Sequence, residues 1–101
     1  MIHTVLVTLA ATNTAQRIVA FTAGVPTQAA WISLQASSGN AASVYHGDLT
    51  VTSSNGQEIA SGGGGANPQY PPTGVANPYD MQGVYITGTQ ADTSRVLYHT
   101  T

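Results

Sequence analysis

The apolar runs in this chain of 101 residues are short and β-like, and turn signals punctuate them. No stretch keeps helical spacing for three turns, so the periodicity points to strands. Residues 30–36 show it most clearly: Ala30, Ile32, Leu34 and Ala36 fall on one face, and Trp31, Ser33 and Gln35 on the other. Further strands are expected at 5–9, 17–22, 44–46, 49–52, 57–60, 83–87 and 94–99. A turn is expected at 24–27, where Pro26 fixes its own φ, and another at 37–40. Residues 53–56 end in Asn55-Gly56, the pair that accepts the positive φ angles of a type I′ hairpin turn. Short strands at such regular spacing predict an all-β, antiparallel sandwich or barrel in a single domain over residues 1–101.

One segment breaks the pattern. Residues 61–78 hold Gly62-Gly63-Gly64-Gly65 together with Pro68, Pro71, Pro72 and Pro78. Neither a helix nor an inner strand survives that composition. A loop of this length, reaching about residue 79, is expected to be either functional or a flexible, disordered surface excursion. Proline reduces the entropy lost on ordering, and tyrosines supply anchors. The part with Tyr70, Pro71, Pro72 and Tyr79 therefore reads as an arm lying across a neighbouring subunit, with residues 61–66 as its loose hinge.

Charge is nearly absent. Asp48, Glu58, Asp80, Asp92, Arg17 and Arg95 make up 6% of the residues, and there is no lysine; an ordinary domain has about 25%. Threonine, serine, asparagine, alanine and glycine fill the surface positions instead. Such side chains lose little rotamer entropy on burial and carry no charge to desolvate, so the surface tolerates contact with a neighbour. Two distant arginines make no basic stripe, which argues against nucleic acid as a partner. No polybasic or long apolar segment points to a membrane. The N-terminus lacks the basic region and continuous apolar run of a signal peptide, so synthesis in the cytoplasm is expected. The absence of cysteine removes disulfides and thiolate metal sites.

Catalytic patterns are missing. His3, His46 and His99 do not form the His-x-His pair with a downstream glutamate found in active cupins; His46-Gly47-Asp48 is the nearest approach. If the terminal strands pair, His3 and His99 approach one another, but a catalytic metal needs about three converging ligands. No Gly-x-Ser-x-Gly elbow occurs. Asp48 and Glu58 read as solvated or turn-capping groups rather than an acid/base pair. The tetraglycine is followed by no Gly-Lys-Ser/Thr. The expectation is no enzyme and no cofactor.

The order of the segments carries a resemblance. The strand around Trp31 and a small-residue turn lead into Val44-Tyr45-His46-Gly47-Asp48. Asn55-Gly56 with Ile59, the Gly/Pro-rich loop, and Tyr79-Asp80-Met81 before Val84-Tyr85-Ile86-Thr87-Gly88 follow. Arg95-Val96-Leu97-Tyr98 closes the chain. Over residues 29–99 this order resembles small jelly-roll, cupin-like virion proteins of tailed bacteriophages. The resemblance implies a structural capsid decoration (cement) protein on the exterior of the virion. Its partners would be its own copies, as a homotrimer, and the major capsid protein. The alternative is a glycan- or receptor-binding module, or another structural part, of a tail or fibre. Tryptophan and tyrosine are enriched at binding hot spots, so Trp31, Tyr45, Tyr70, Pro71, Pro72, Tyr79 and Tyr85 are the candidate interface residues.

Overall fold

The computed structural model describes residues 2–20, 24, 28–63 and 79–100. They form eight strands: β1 (Ile2–Thr8), β2 (Gln16–Arg17), β3 (Gln28–Ala36), β4 (Val44–Gly47), β5 (Gln57–Ile59), β6 (Tyr79–Asp80), β7 (Tyr85–Thr87) and β8 (Thr93–Thr100). A single 3₁₀ turn, Met81–Gly83, is capped by the Asp80 carboxylate, which accepts from the Gln82 N–H at 3.0 Å.

The strands divide into two antiparallel sheets, ordered β1-β8-β3-β6 and β2-β7-β4-β5. The pairing is nested. β1 pairs with β8, β2 with β7, β3 with β6, and β4 with β5. β8 and β7 then take β3 and β4 as second neighbours. Among the described strands only β4 and β5 are consecutive members of one sheet; every other consecutive pair of described strands belongs to opposite sheets. A chain laid down this way is an all-β sandwich whose core receives alternate residues from both sheets.

That core contains Val7, Leu9, Ile32, Leu34, Ala36, Met81 and Val96 from the first sheet and its flanks, and Ile18, Val44, Ile59 and Ile86 from the second. Full burial of each Leu, Ile or Val contributes about 1.5–3 kcal/mol. The alternation expected for residues 30–36 holds over Ile32, Leu34 and Ala36. It reverses before them, because Ala29 is also fully buried. The reversal has a physical cause: β3 advances from Ala29 to Trp31 while β8 advances only from Thr100 to His99, a β-bulge that inserts one residue.

Three local expectations change. Of the strand expected at 17–22, the described part pairs only over Gln16–Arg17 and bends at Ile18 and Val19, while residues 21–22 lie outside the described residues. Residues 49–52 are turn and irregular backbone rather than strand. Neither Asn55 nor Gly56 has a positive φ, so the β4–β5 hairpin does not close through a type I′ turn. It closes through residues 48–56, pinned by side chains. The Asn55 carboxamide accepts from Thr52 N–H at 2.7 Å and donates to Thr50 O at 3.2 Å, and Gly56 N–H donates to Thr52 O at 2.9 Å. Val51 thereby reaches the outer face of β4 and β5 and is buried. A fourth difference concerns the glycine-rich segment, whose start is anchored: Gly63 O accepts from Ala36 N–H at 2.9 Å and Gly62 N–H donates to Ser37 O at 3.2 Å. Residues 64–78, with Tyr70, Pro71 and Pro72, lie outside the described residues, as do the side chains of Trp31 and Tyr79.

Candidate functional site

The outer face of β1, β8 and β3 carries little charge among the described residues. Register places His99 between Ile2 and Trp31, Leu97 between Thr4 and Ser33, and Arg95 between Leu6 and Gln35. Ile2 is 58% exposed and Leu6 64%. Thr4, Leu6, Ser33, Gln35, Arg95 and Leu97 surround an open depression of about 620 Å³. Arg95 is the one charged side chain among the described residues of these three rows. Such a face can be covered by a neighbour with little desolvation penalty.

The outer face of the second sheet is built differently. Arg17 lies opposite Tyr85, Tyr85 opposite Gly47, and Tyr45 between Thr87 and Glu58. Tyr45 and Tyr85 are thus diagonal neighbours on one face, a spacing that long side chains span. The Arg17 guanidinium carbon sits 5.3 Å from the centre of the Tyr85 ring, a cation–π contact. Tyr85 is 7% exposed and Thr87 2%, so of the two tyrosines only half-buried Tyr45 offers a partner appreciable surface. Beside them the 48–56 loop borders a depression of about 500 Å³. Its polar groups are engaged internally: the Asp48 carboxylate accepts from Thr50 N–H at 2.9 Å and from the Thr50 hydroxyl at 2.6 Å. These bonds hold the exposed Asp48 carboxyl below the usual carboxylate range.

The candidate interface residues therefore do not gather in one patch. Tyr45 and Tyr85 share the outer face of the second sheet, whereas Trp31 and Tyr79 belong to strands of the first. Ile2, Leu6 and Leu97 are missing from the sequence-based set. For Ile2 and Leu6 the signal is the phase of residues 2–9: once Val5, Val7 and Leu9 face inward, Ile2 and Leu6 must face outward.

The histidines separate. β1 does pair with β8, but His3 stands opposite Tyr98 while His99 stands opposite Ile2, which puts them on opposite faces. The His3 ring stacks on Tyr98 with centroids 5.0 Å apart. His46 points into the core, whereas Asp48 is exposed at the loop. Among the described residues no three His, Asp or Glu side chains converge as metal ligands. His46 Nε2 does meet Ser94 Oγ at 3.2 Å, but both side chains are sealed between the sheets, and Ser94 Oγ donates onward to Gln35 O at 3.1 Å. A nucleophile–base pair needs access to substrate and a hydroxyl proton directed at the base; this pair is a polar tie between β4 and β8. Compared with known proteins, the chain matches no family model, no curated protein and no solved structure.

Proposed function

We propose that this protein is a structural virion subunit of jelly-roll type, a capsid decoration protein that binds the outside of a bacteriophage capsid as a symmetric oligomer. The reading rests on the sequence resemblance and on one structural observation above all. The outer face of β1, β8 and β3 exposes Ile2 and Leu6 around a single charged residue, Arg95. The nested pairing of first strand with last, second with seventh, third with sixth and fourth with fifth supports the jelly-roll assignment.

In this reading the mechanism is adhesion. Each copy buries small polar and apolar surface against capsid protein, and the symmetry of a trimer multiplies weak contacts into avidity. A stable contact of this kind buries at least about 1,000 Å² in total. With so few charges available, screening by salt has little to act on.

The test is cosedimentation of the protein with particles of the virus that encodes it, in salt from about 0.1 M to about 1 M. Retention across that range is expected. Absence from the particles, or release by moderate salt, overturns the proposal. Retention on tail or fibre fractions alone replaces it with the tail-module reading.

A further inference from the structure

Among the described residues β1 is an edge strand of the first sheet. Leu9 donates to Asp92 O and accepts from Ala91 N–H, both at 2.9 Å, so its backbone groups face β8. The antiparallel alternation then turns those of Val7, Val5 and His3 toward β8 as well. It turns the N–H and C=O groups of Ile2, Thr4, Leu6 and Thr8 to the opposite edge. Among the described residues no strand occupies that edge. Of the backbone oxygens on that edge, Thr8 O accepts from the Gln16 carboxamide at 3.0 Å. Natural proteins guard such edges with lysine, proline, bulges or charges. The strand IHTVLVT contains no lysine, proline, aspartate, glutamate or arginine, and it pairs with β8 without a register shift.

We propose that two copies pair antiparallel through β1, with the two-fold axis at Thr4, joining two four-stranded sheets into one of eight strands. The register is selected by the residues. An axis at Thr4 places Thr4 opposite its own copy and Ile2 opposite Leu6 of the other chain, twice. All of these are outward-pointing backbone positions, so the ladder closes with Thr8 left out of it. The same register brings together the exposed Ile2 and Leu6 side chains on the outer face. An axis at Val5 would set Ile2 against Thr8 and Leu6 against Thr4. An axis at Leu6 would need Thr8 O, which Gln16 already holds. The contact is isologous and closes on two copies. It is independent of the virion reading, and where a three-fold oligomer also forms it joins two of them.

The chain has no cysteine, which makes single-cysteine variants clean probes. Hydrogen-bonded antiparallel partners lie about 5.5 Å apart at Cα, inside the disulfide range of about 4.4–6.8 Å. Thr4→Cys is expected to form a disulfide-linked dimer under mild oxidation. Ile2→Cys and Leu6→Cys are each expected to stay uncrosslinked alone and to crosslink when mixed. Ser53→Cys, exposed on the 48–56 loop, is the control. Light scattering should show Leu6→Lys halving the mass of the unmodified protein. The two-fold contact is overturned if Thr4→Cys yields no more dimer than Ser53→Cys, or if Ile2→Cys crosslinks alone as well as it does with Leu6→Cys. An unmodified monomer, or a trimer indifferent to Leu6→Lys, overturns it too. Crosslinking by Thr4→Cys in a protein absent from virus particles would uphold the contact and remove the virion reading.

Discussion

His46 of β4 and Ser94 of β8 meet between the two sheets, with Nε2 3.2 Å from Oγ. The Ser94 hydroxyl has one hydrogen, and it goes to Gln35 O at 3.1 Å. His46 Nε2 is therefore the donor, which leaves Nδ1 as a bare lone pair. Nδ1 is buried and has no hydrogen-bond partner. The tie joins the sheets but leaves one polar atom of the core unsatisfied.

Stability should consequently depend on pH through His46. Burial pushes its pKa down from 6.5 to about 4, because a charged imidazolium would be desolvated. The unfolded chain then binds a proton between these values and the folded chain does not, so stability falls as pH drops through that window. The expected loss is about 2 kcal/mol by roughly pH 5 and about 3 kcal/mol in full. Urea denaturation at pH 7 and pH 5 measures it. His46→Leu should flatten the profile whatever it does to absolute stability; an unchanged slope in that variant assigns the dependence elsewhere.

Gly56 is required for space, not for backbone freedom. A Cβ there would lie 2.7 Å from Val51 Cγ2 and 2.8 Å from Tyr45 Cβ. Gly56→Ala should destabilise by about 1–3 kcal/mol through overpacking. Val51→Ala combined with Gly56→Ala should cost less than the sum of the single changes, since the clash is shared. Strict additivity in denaturation midpoints would mean that Val51 does not pack there.

The same loop shows where sequence reading succeeds and stops. Ile32, Leu34 and Ala36 are legible because an uninterrupted strand obeys a period of two. Ala29 is not, because a bulge reverses the phase and leaves no compositional mark. Residues 49–52 alternate like a strand, yet Val51 is buried by folding back over Gly47 and Gly56, a tertiary contact that local pattern does not encode. Asn55-Gly56 does mark the β4–β5 hairpin, but through the Asn55 carboxamide rather than positive φ. β6 has only Tyr79 and Asp80, too short for any periodicity. For the candidate site, aromatic residues drew the reading toward Trp31, Tyr45 and Tyr85. The exposed aliphatic pair Ile2 and Leu6 depended on a face assignment that an apolar run cannot supply alone.

Asn40 acts as a one-residue strand. Its carboxamide donates to Thr93 O and accepts from Thr93 N–H, both at 2.8 Å. Thr93 begins β8, the strand that holds the first sheet together. Asn40→Ala should lower stability by about 2 kcal/mol, because it removes both bonds from a half-buried backbone. A change below about 0.5 kcal/mol, the range of an ordinary surface substitution, would show that water replaces the carboxamide.

Ala91 holds a backbone conformation that its own Cβ disfavours. Its φ is 73°, in the left-handed region that a Cβ disfavours. The surrounding bonds hold it there. Ala91 N–H donates to Leu9 O at 2.9 Å, and Asp92 N–H donates to Thr89 O at 3.1 Å. The buried Asp92 carboxylate also accepts from Ala41 and Ala42 N–H at 2.8 and 3.1 Å. Releasing the turn would undo this set, so the strain persists. Glycine relieves about 1–2 kcal/mol of it but returns roughly 0.5–1 kcal/mol as unfolded-state entropy. Ala91→Gly should therefore stabilise by up to about 1 kcal/mol, while Ala91→Val, branched at Cβ, should destabilise by more than about 1 kcal/mol. Thermal melts of the two variants beside the parent check the order Gly, Ala, Val. An inverted order would mean that the 88–92 turn adopts another conformation in solution.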